Sequence, residues 1–291
     1  IDGNTYSGDM SNPLKQLSGQ FSVSYNLTPE WSLNFNTGNY FQRPAYTTMG
    51  FRNSIGELIN KKNGLTYITA NHLVFGVENK PNENSRISIE GFYKTYDNYP
   101  FSIKDSVAIS SKSADYDVFG AEEVLPIGEG RAYGMEFLAR HNELWGFNFI
   151  ASLTLVRSEF KNFYGKYIPT AWDNKVLFNF TATRKLPRNW DIGLKWRLVG
   201  GAPYSPIDFD RSSMRLAYDI SGGTSLDYSR FNSERLRAFH QLDLRVDKQY
   251  YFKKWSLMLY FDIQNAYNFK SQQPDRYINE DPDGNVVIEN P

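Results

Sequence analysis

The sequence predicts an all-β fold: a transmembrane antiparallel up-and-down β-barrel, present in part as about ten strands. Three observations predict it. Segments of alternating apolar and polar residues recur along the chain, the connections between them alternate between short and long, and aromatic residues make up 16% of the 291 residues. Membrane barrels expose one apolar strand face to lipid and place aromatic rings at both membrane interfaces.

The strands are predicted from alternation with a period of two. From Trp255 to Ile263 the odd-numbered residues are apolar and the even-numbered ones are mostly polar. Successive side chains of a strand point to opposite faces, whereas a helix would mix the two sets. Nine further segments alternate wholly or in part, around 21–25, 31–35, 71–79, 86–96, 133–140, 148–155, 175–183, 191–199 and 240–250. Most have the ~9–11 residues that cross a bilayer at a tilt.

The connections fall into two classes that alternate along the chain. The short ones lie at 28–30, 81–84, 142–144, 187–189 and 252–254. The long ones lie at about 42–69, 97–128, 158–173, 201–237 and beyond 267. Outer-membrane barrels have tight turns on the periplasmic side and long loops on the extracellular side. A soluble sheet has no reason to sort its loops in this way.

Composition excludes several classes of protein. Lys+Arg and Asp+Glu both number 32, which gives no basic footprint for nucleic acid. Cysteine is absent, which excludes disulfides, thiol catalysis and thiolate metal sites. No run approaches the roughly 18 apolar residues of a membrane helix. The chain starts at Ile1 and ends at Pro291 within a polar stretch, so we expect a fragment of a longer protein.

Several segments carry a family resemblance, and their order and spacing make it specific. They are Gly130–Phe137, Ile168–Lys175, Gly200–Pro206, Phe239–Lys248, Lys254–Leu257 and Asp262–Asn268. Phe239–Lys248 is the strongest match, and Gly130–Phe137 contains an inward-facing Glu136. Together they resemble the C-terminal part of the β-barrel of TonB-dependent outer-membrane receptors, in the Bacteroidota-type version.

The resemblance implies a fold and a role. Such receptors form a 22-stranded barrel around an N-terminal plug in the bacterial outer membrane. They import siderophores, cobalamin or glycans with energy relayed by TonB. Residues 1–291 would then be a fragment of one barrel domain, without the plug and the last strand. The implied partners are outer-membrane lipid, the chain's own plug and N-terminal strands, the TonB complex and, in glycan importers, a surface lipoprotein; no nucleic acid is expected.

Ligand contacts are expected in the lumen or the outer loops. The candidate ligand-binding residues are Arg197, Arg245, Glu136, Tyr204 and Tyr99. The arginines would line a path for anionic ligands, and the tyrosines lie in aromatic loop segments. Two plainer interpretations stay open: pairing of the charged residues across neighbouring strands, and packing of the rings in a girdle or loop.

No catalytic residue, metal site or cofactor is predicted, and the chain is not expected to be an enzyme. His72, His141 and His240 have no partner at metal-site spacing. His240 and Asp243 would lie on opposite faces of one strand. The segment 279–284 resembles half of a calcium loop, but its twelfth position is Asn290, so an ordinary turn is favoured.

Three alternative functions or folds remain at this stage. The chain could be a passive outer-membrane porin, a small self-closed barrel, or a soluble β-sandwich adhesin. Ten strands in an open sheet would leave two unpaired edges in hydrocarbon, so either the strands close on themselves or further strands complete the barrel. The adhesin would dissolve without detergent.

Overall fold

The chain forms one large antiparallel sheet in the computed structural model, which describes residues 16–112, 120–217, 223–278 and 287–289. Ten long strands pair side by side in chain order, and the short strands between them lie outside this order. They are β1 (Gln20–Asn26), β2 (Trp31–Gln42), β3 (Ile68–Asn82), β4 (Ser85–Ser102), β5 (Val124–Leu144), β6 (Phe147–Lys161), β8 (Val176–Leu186), β9 (Trp190–Val199), β12 (Phe239–Tyr251) and β13 (Ser256–Ile263). β7 (Tyr167–Pro169) pairs with β6 beside the main path.

The remaining elements are short. β10 (Pro203–Tyr204) pairs with β11 (Glu234–Arg235), and β14 (Arg276–Ile278) pairs with β15 (Val287–Glu289). Within the described residues, the helices are α1 (Tyr46–Gly50), α2 (Ile59–Lys62) and α3 (Phe209–Ser213), with 3₁₀ turns at Ile109–Ser111 and Tyr228–Arg230, and residues 215–217 are also helical. In the part of the chain that the structure describes, no helix has the length and apolar character needed to cross a membrane. The predicted turn at 279–284 lies outside the described residues.

The connections sort to opposite ends of the sheet, as the sequence predicts. Turns of two to four residues join β1 to β2, β3 to β4, β5 to β6, β8 to β9 and β12 to β13. All long connections lie at the other end. We call the two ends the short-turn end and the loop end.

Two boundaries differ from the prediction. β5 and β6 meet at Trp145–Gly146 instead of at 142–144, because a two-residue hairpin turn needs positive φ at both central residues. Trp145 has φ 53° and Gly146 has φ 79°. β4 and β5 also extend further than alternation indicates, to Ser102 and from Val124, because their pairing continues through β-bulges.

One face of the sheet exposes large apolar side chains that the core of a soluble protein would bury. Leu244 pairs with Leu194 and with Ile263 on one face, and Leu244 is 38% exposed. Phe75 on the same face is 50% exposed. On the other face, Glu78 is 8% exposed and Gln241 is 9% exposed. No described segment covers the first face, which we call the apolar face; the second is the polar face.

These observations correct two of the alternatives. A β-sandwich is wrong, because it requires a second sheet against the apolar face, and the described residues form none. A self-closed ten-stranded barrel is also wrong, because β1 and β13 are the two ends of the strand order and do not pair with each other. The sheet is an open segment.

Candidate functional site

The loop end contains a cleft of about 530 Å³ between three connections. One wall comes from the β4–β5 connection, one from the β6–β7 hairpin and one from the β9–β12 connection. Its side chains are mostly aromatic, cationic or small and polar, with three aliphatic residues and one carboxylate among them. The lining residues are Lys104–Val107, Asn162–Tyr164, Lys166–Pro169, Tyr228–Phe231 and Ser233.

The hairpin wall is shaped by Asn162. Its side-chain oxygen accepts hydrogen bonds from the backbone N–H groups of Tyr164 and Lys166, both at 3.0 Å. Gly165 completes the turn at φ 75°, a conformation that side chains with a Cβ rarely adopt. This tight turn leaves Tyr164 89% exposed at the cleft edge. Phe163 packs edge-on against it, with ring centroids 5.7 Å apart.

The opposite wall is a single turn capped by Asp227. Its carboxylate accepts hydrogen bonds from the backbone N–H and the hydroxyl of Ser229, and these bonds lower the pKa of Asp227. The Tyr228 and Phe231 rings stack with centroids 5.6 Å apart. Phe231 is buried, so the pair forms a firm aromatic surface on this side of the cleft.

The base of the cleft carries a charged network. Lys112 Nζ lies 2.6 Å from carboxylate oxygens of both Asp105 and Glu122. Burial raises the pKa of Tyr228, and a hydrogen bond to the Asp105 carboxylate raises it further.

The mouth of the cleft is cationic. Lys104, Lys166 and Arg230 are exposed, and Asp105 is the one carboxylate in the lining, already held by Lys112. Arg230 pairs with Glu234 at 2.9 Å, and neither lysine has an ion pair within the described ranges. Aromatic faces beside cations suit an anionic ligand with rings or sugar-like faces.

Buried polar contacts fix the three loops relative to one another. The Asn232 side chain donates to the carbonyl of Ser111 at 3.1 Å and to that of Pro169 at 2.9 Å. Its backbone N–H donates to Ser205 Oγ at 2.9 Å. One residue thus joins all three walls, so the cleft is a formed feature of the fold.

The two predicted arginines lie on the polar face of the sheet. Arg245 forms a two-pronged pair with Asp247, with its shortest contact at 2.7 Å, and its guanidinium lies 4.5 Å from the Tyr260 ring centroid. Arg197 donates to Gln241 at 2.6 Å. Arg245 therefore pairs within its own strand, and Arg197 bonds to a neutral side chain on the neighbouring strand.

Glu136 is exposed on the polar face and lies directly opposite Glu90 on β4. Like charges directly opposite each other destabilise a sheet. No described cation pairs with either carboxylate. Within the described residues, these two carboxylates therefore lack a charge partner.

The two predicted tyrosines are engaged in packing. Tyr99 is half-buried and packs edge-on against Phe160, with centroids 4.9 Å apart. Tyr204 donates a hydrogen bond to Glu234 at 2.9 Å, and burial followed by this bond raises its pKa. Neither lines the cleft. The cleft residues Tyr164, Lys166 and Tyr228 are not among the predicted ligand-binding residues, although the aromatic and basic character of these loops is a signal for them in the sequence.

The described residues contain no group of three or more acidic or histidine side chains that could hold a metal ion. His240 Nδ1 lies 2.7 Å from the hydroxyl of Tyr267, and its ring packs 4.0 Å from that of Phe269. His72 packs 4.5 Å from the Tyr40 ring. These two histidines sit in aromatic contacts within the sheet and its adjoining loop.

Comparison with known proteins identifies the sheet. A family model described as TonB dependent receptor-like, beta-barrel, matches residues 2–266. The ferric citrate transporter FecA in its unliganded form is similar in structure, with a TM-score of 0.60 and 18% identity over 94% of this chain and 36% of that chain. No match is found among the curated proteins.

Two further solved structures show the same architecture. The ferric-catecholate import receptor Fiu from E. coli K12 has a TM-score of 0.57 and 12% identity, over 94% of this chain and 33% of that one. The copper transporter OprC has a TM-score of 0.58 and 16% identity, over 87% and 34%. At these identities the likeness shows the fold alone. The chain spans about a third of the length of the structures it matches.

Proposed function

The chain belongs to the TonB-dependent receptor-like β-barrel family, and on that premise we propose that it is part of an outer-membrane receptor that imports a scarce ligand with energy supplied through TonB. The ligand would be a siderophore, cobalamin or a glycan. The apolar face contacts lipid, the polar face lines the lumen, and the loop end faces the outside of the cell. The chain's own role is reversible ligand contact and not catalysis.

The formed cleft at the loop end is the observation that supports this proposal most strongly. It combines about 530 Å³ of space with exposed rings and cations, on loops fixed by buried hydrogen bonds. Preorganised loops lose less entropy when they bind a ligand. We propose that this cleft makes the first contact with the ligand, and that Arg197 and Arg245 line the path below it.

The lumen supports a second part of the proposal, a plug domain with basic side chains. Glu90 and Glu136 face each other on the polar face without a described cation, and a plug residue would relieve their repulsion. The open edges at β1 and β13 support further strands of the same barrel. Residues 1–291 would then be one portion of a single barrel domain.

Uptake assays test the transport role. The full-length protein is produced in a host without its own siderophore receptors, with and without functional TonB. Ferric citrate, a ferric catecholate, cyanocobalamin and a maltooligosaccharide serve as probes. We expect at least one probe to accumulate only in cells that contain both the full-length protein and functional TonB. Accumulation that is independent of TonB, with steady conductance in planar bilayers, would establish a passive porin instead.

Variants of the cleft test its part in capture. Tyr164→Ala combined with Lys166→Gln should weaken binding of the transported probe by ~10-fold or more, because an aromatic face and a charge are lost together. Lys185→Gln is the control, since Lys185 lies at the opposite end of the sheet. Equal binding by the cleft variant and the control would place ligand capture elsewhere.

A further inference from the structure

The apolar face at the short-turn end carries a lysine between aromatic rings. Lys248 pairs with Trp190 on β9 and with Leu259 on β13. Its ammonium lies 5.1 Å from the Trp190 ring centroid and 5.2 Å from that of Tyr250, and it donates to the carbonyl of Arg188. A cation is thus held on the face that otherwise contacts hydrocarbon.

Further cations and aromatic rings lie near Lys248 at the same end of the sheet. The Arg184 guanidinium lies 4.9 Å from the Phe147 ring centroid on the same face. Phe252 and Trp255 stack with centroids 4.0 Å apart in the turn between β12 and β13. Three more exposed cations lie in the two neighbouring turns, namely Arg188, Lys253 and Lys254.

The acidic residues of these strands lie on the other face. Asp191 pairs in register with Lys185 and Asp247, and Asp247 is held by Arg245. In β8, β9, β12 and β13 every apolar-face position is an uncharged residue or a cation. Within these four strands, no carboxylate on this face can therefore neutralise Lys248 or Arg184.

We propose that this surface, defined by Arg184, Arg188, Trp190, Lys248 and Tyr250, binds the phosphate of an anionic phospholipid in the periplasmic leaflet of the outer membrane. Lysine and arginine at the ends of membrane-spanning segments extend toward the headgroup layer, and Trp and Tyr rings sit at the same level. A lipid phosphate supplies the negative charge that the face lacks. The inference depends on the proposed membrane placement, with the short-turn end in the periplasm.

Native mass spectrometry of the full-length protein in a zwitterionic detergent tests this site. The probes are phosphatidylglycerol and phosphatidylcholine in equal amounts. We expect the protein to retain phosphatidylglycerol severalfold more than phosphatidylcholine. Lys248→Gln should reduce this preference at least threefold, and Lys248→Arg should preserve it, because the charge remains.

Lys185→Gln is the matched control, because it removes the same charge at the same end of the sheet but on the polar face. It should leave the preference unchanged. Equal retention of the two lipids by the unaltered protein, or equal effects of Lys248→Gln and Lys185→Gln, would overturn the proposal. Recovery of the protein in the outer-membrane fraction is measured separately, so a failed lipid preference is distinguished from a failed membrane placement.

Discussion

Asp173 illustrates how single residues hold the loop end together. Its side chain is fully buried and pairs with Arg235, whose guanidinium also donates to the carbonyls of Asp173 and Gly201. It accepts a hydrogen bond from the backbone N–H of Ser158 at 2.8 Å and lies 3.3 Å from Arg157. One carboxylate therefore joins β6, the segment that follows β7, and the β9–β12 connection.

We expect Asp173→Asn to loosen this junction. The neutral amide leaves Arg235 without its charge partner, while Arg157 keeps its pair with Glu159. We expect a cost of roughly 2–3 kcal/mol, below the ~3–5 kcal/mol for fully buried pairs, because both guanidinium groups are partly exposed. Limited proteolysis should cut within 201–237 much faster, while the strands remain protected. Asp210→Asn, at an exposed position of α3, is the control, and equal proteolysis of the two variants would contradict this account.

Adjacent residues of β6 should differ in their tolerance of charge. Leu153 lies on the apolar face between Phe137 and Phe178, whereas Thr154 lies on the polar face opposite Glu136. In the full-length protein, Leu153→Arg should cost about 2–4 kcal/mol in a folding titration into lipid vesicles. Thr154→Arg should cost clearly less, since the new guanidinium would lie in water opposite the Glu136 carboxylate. Equal costs would reject the assignment of faces.

At the level of elements, the strands were predictable and the cleft was not. Alternation is a property of consecutive residues, so segments such as 191–199 appear in the sequence almost with their observed bounds, Trp190–Val199. The cleft depends on contacts between distant residues; the bond from Asn232 to Ser111 spans 121 positions. The packing of Tyr99 against Phe160 and the hydrogen bond from Tyr204 to Glu234 likewise join residues that are distant in the sequence, so alternation does not predict them.

A buried amide holds the helical segment between β2 and β3 in place, together with Asn63, whose side chain donates to the carbonyl of Val124 at 3.0 Å. Asn60, at 0% exposure, donates to the carbonyls of Thr48 and Glu122 at 2.8 and 2.9 Å. Its side-chain oxygen accepts from the backbone N–H of Val124 at 2.8 Å. Asn60 thereby fastens α1 and α2 to the start of β5.

Asn60→Ala should release this segment, because three hydrogen-bonding backbone groups lose their partner in a buried place, each at ~1–3 kcal/mol. We expect hydrogen exchange at 46–62 and 120–124 to accelerate, with exchange in the centre of β3 unchanged. Lys62→Ala, an exposed change in the same helix, should leave the exchange as it is. Acceleration throughout β3 would show that the segment is not an independent unit.

The sheet alone is not stable in either solvent: water would meet its apolar face, and lipid would meet the unpaired backbone groups at its two edges. Each long strand contacts its neighbours edge to edge, and the apolar face has no cover among the described residues. β1 and β13 each pair on one side, so both present a row of backbone groups without partners in the sheet. Each such group costs several kcal/mol in hydrocarbon.

We therefore expect this 291-residue chain to need additional strands before it can form a stable monomer in a membrane. The full-length protein should run at an anomalous position on a gel when unheated and shift on boiling, since a closed barrel resists detergent. The isolated chain, refolded in the same detergent, should run only at its unfolded position or as aggregates, because its open edges pair with other copies. A monomeric, heat-shifted band from the isolated chain would show that β1 and β13 can meet. In that case the barrel would need no strands beyond those of this sheet.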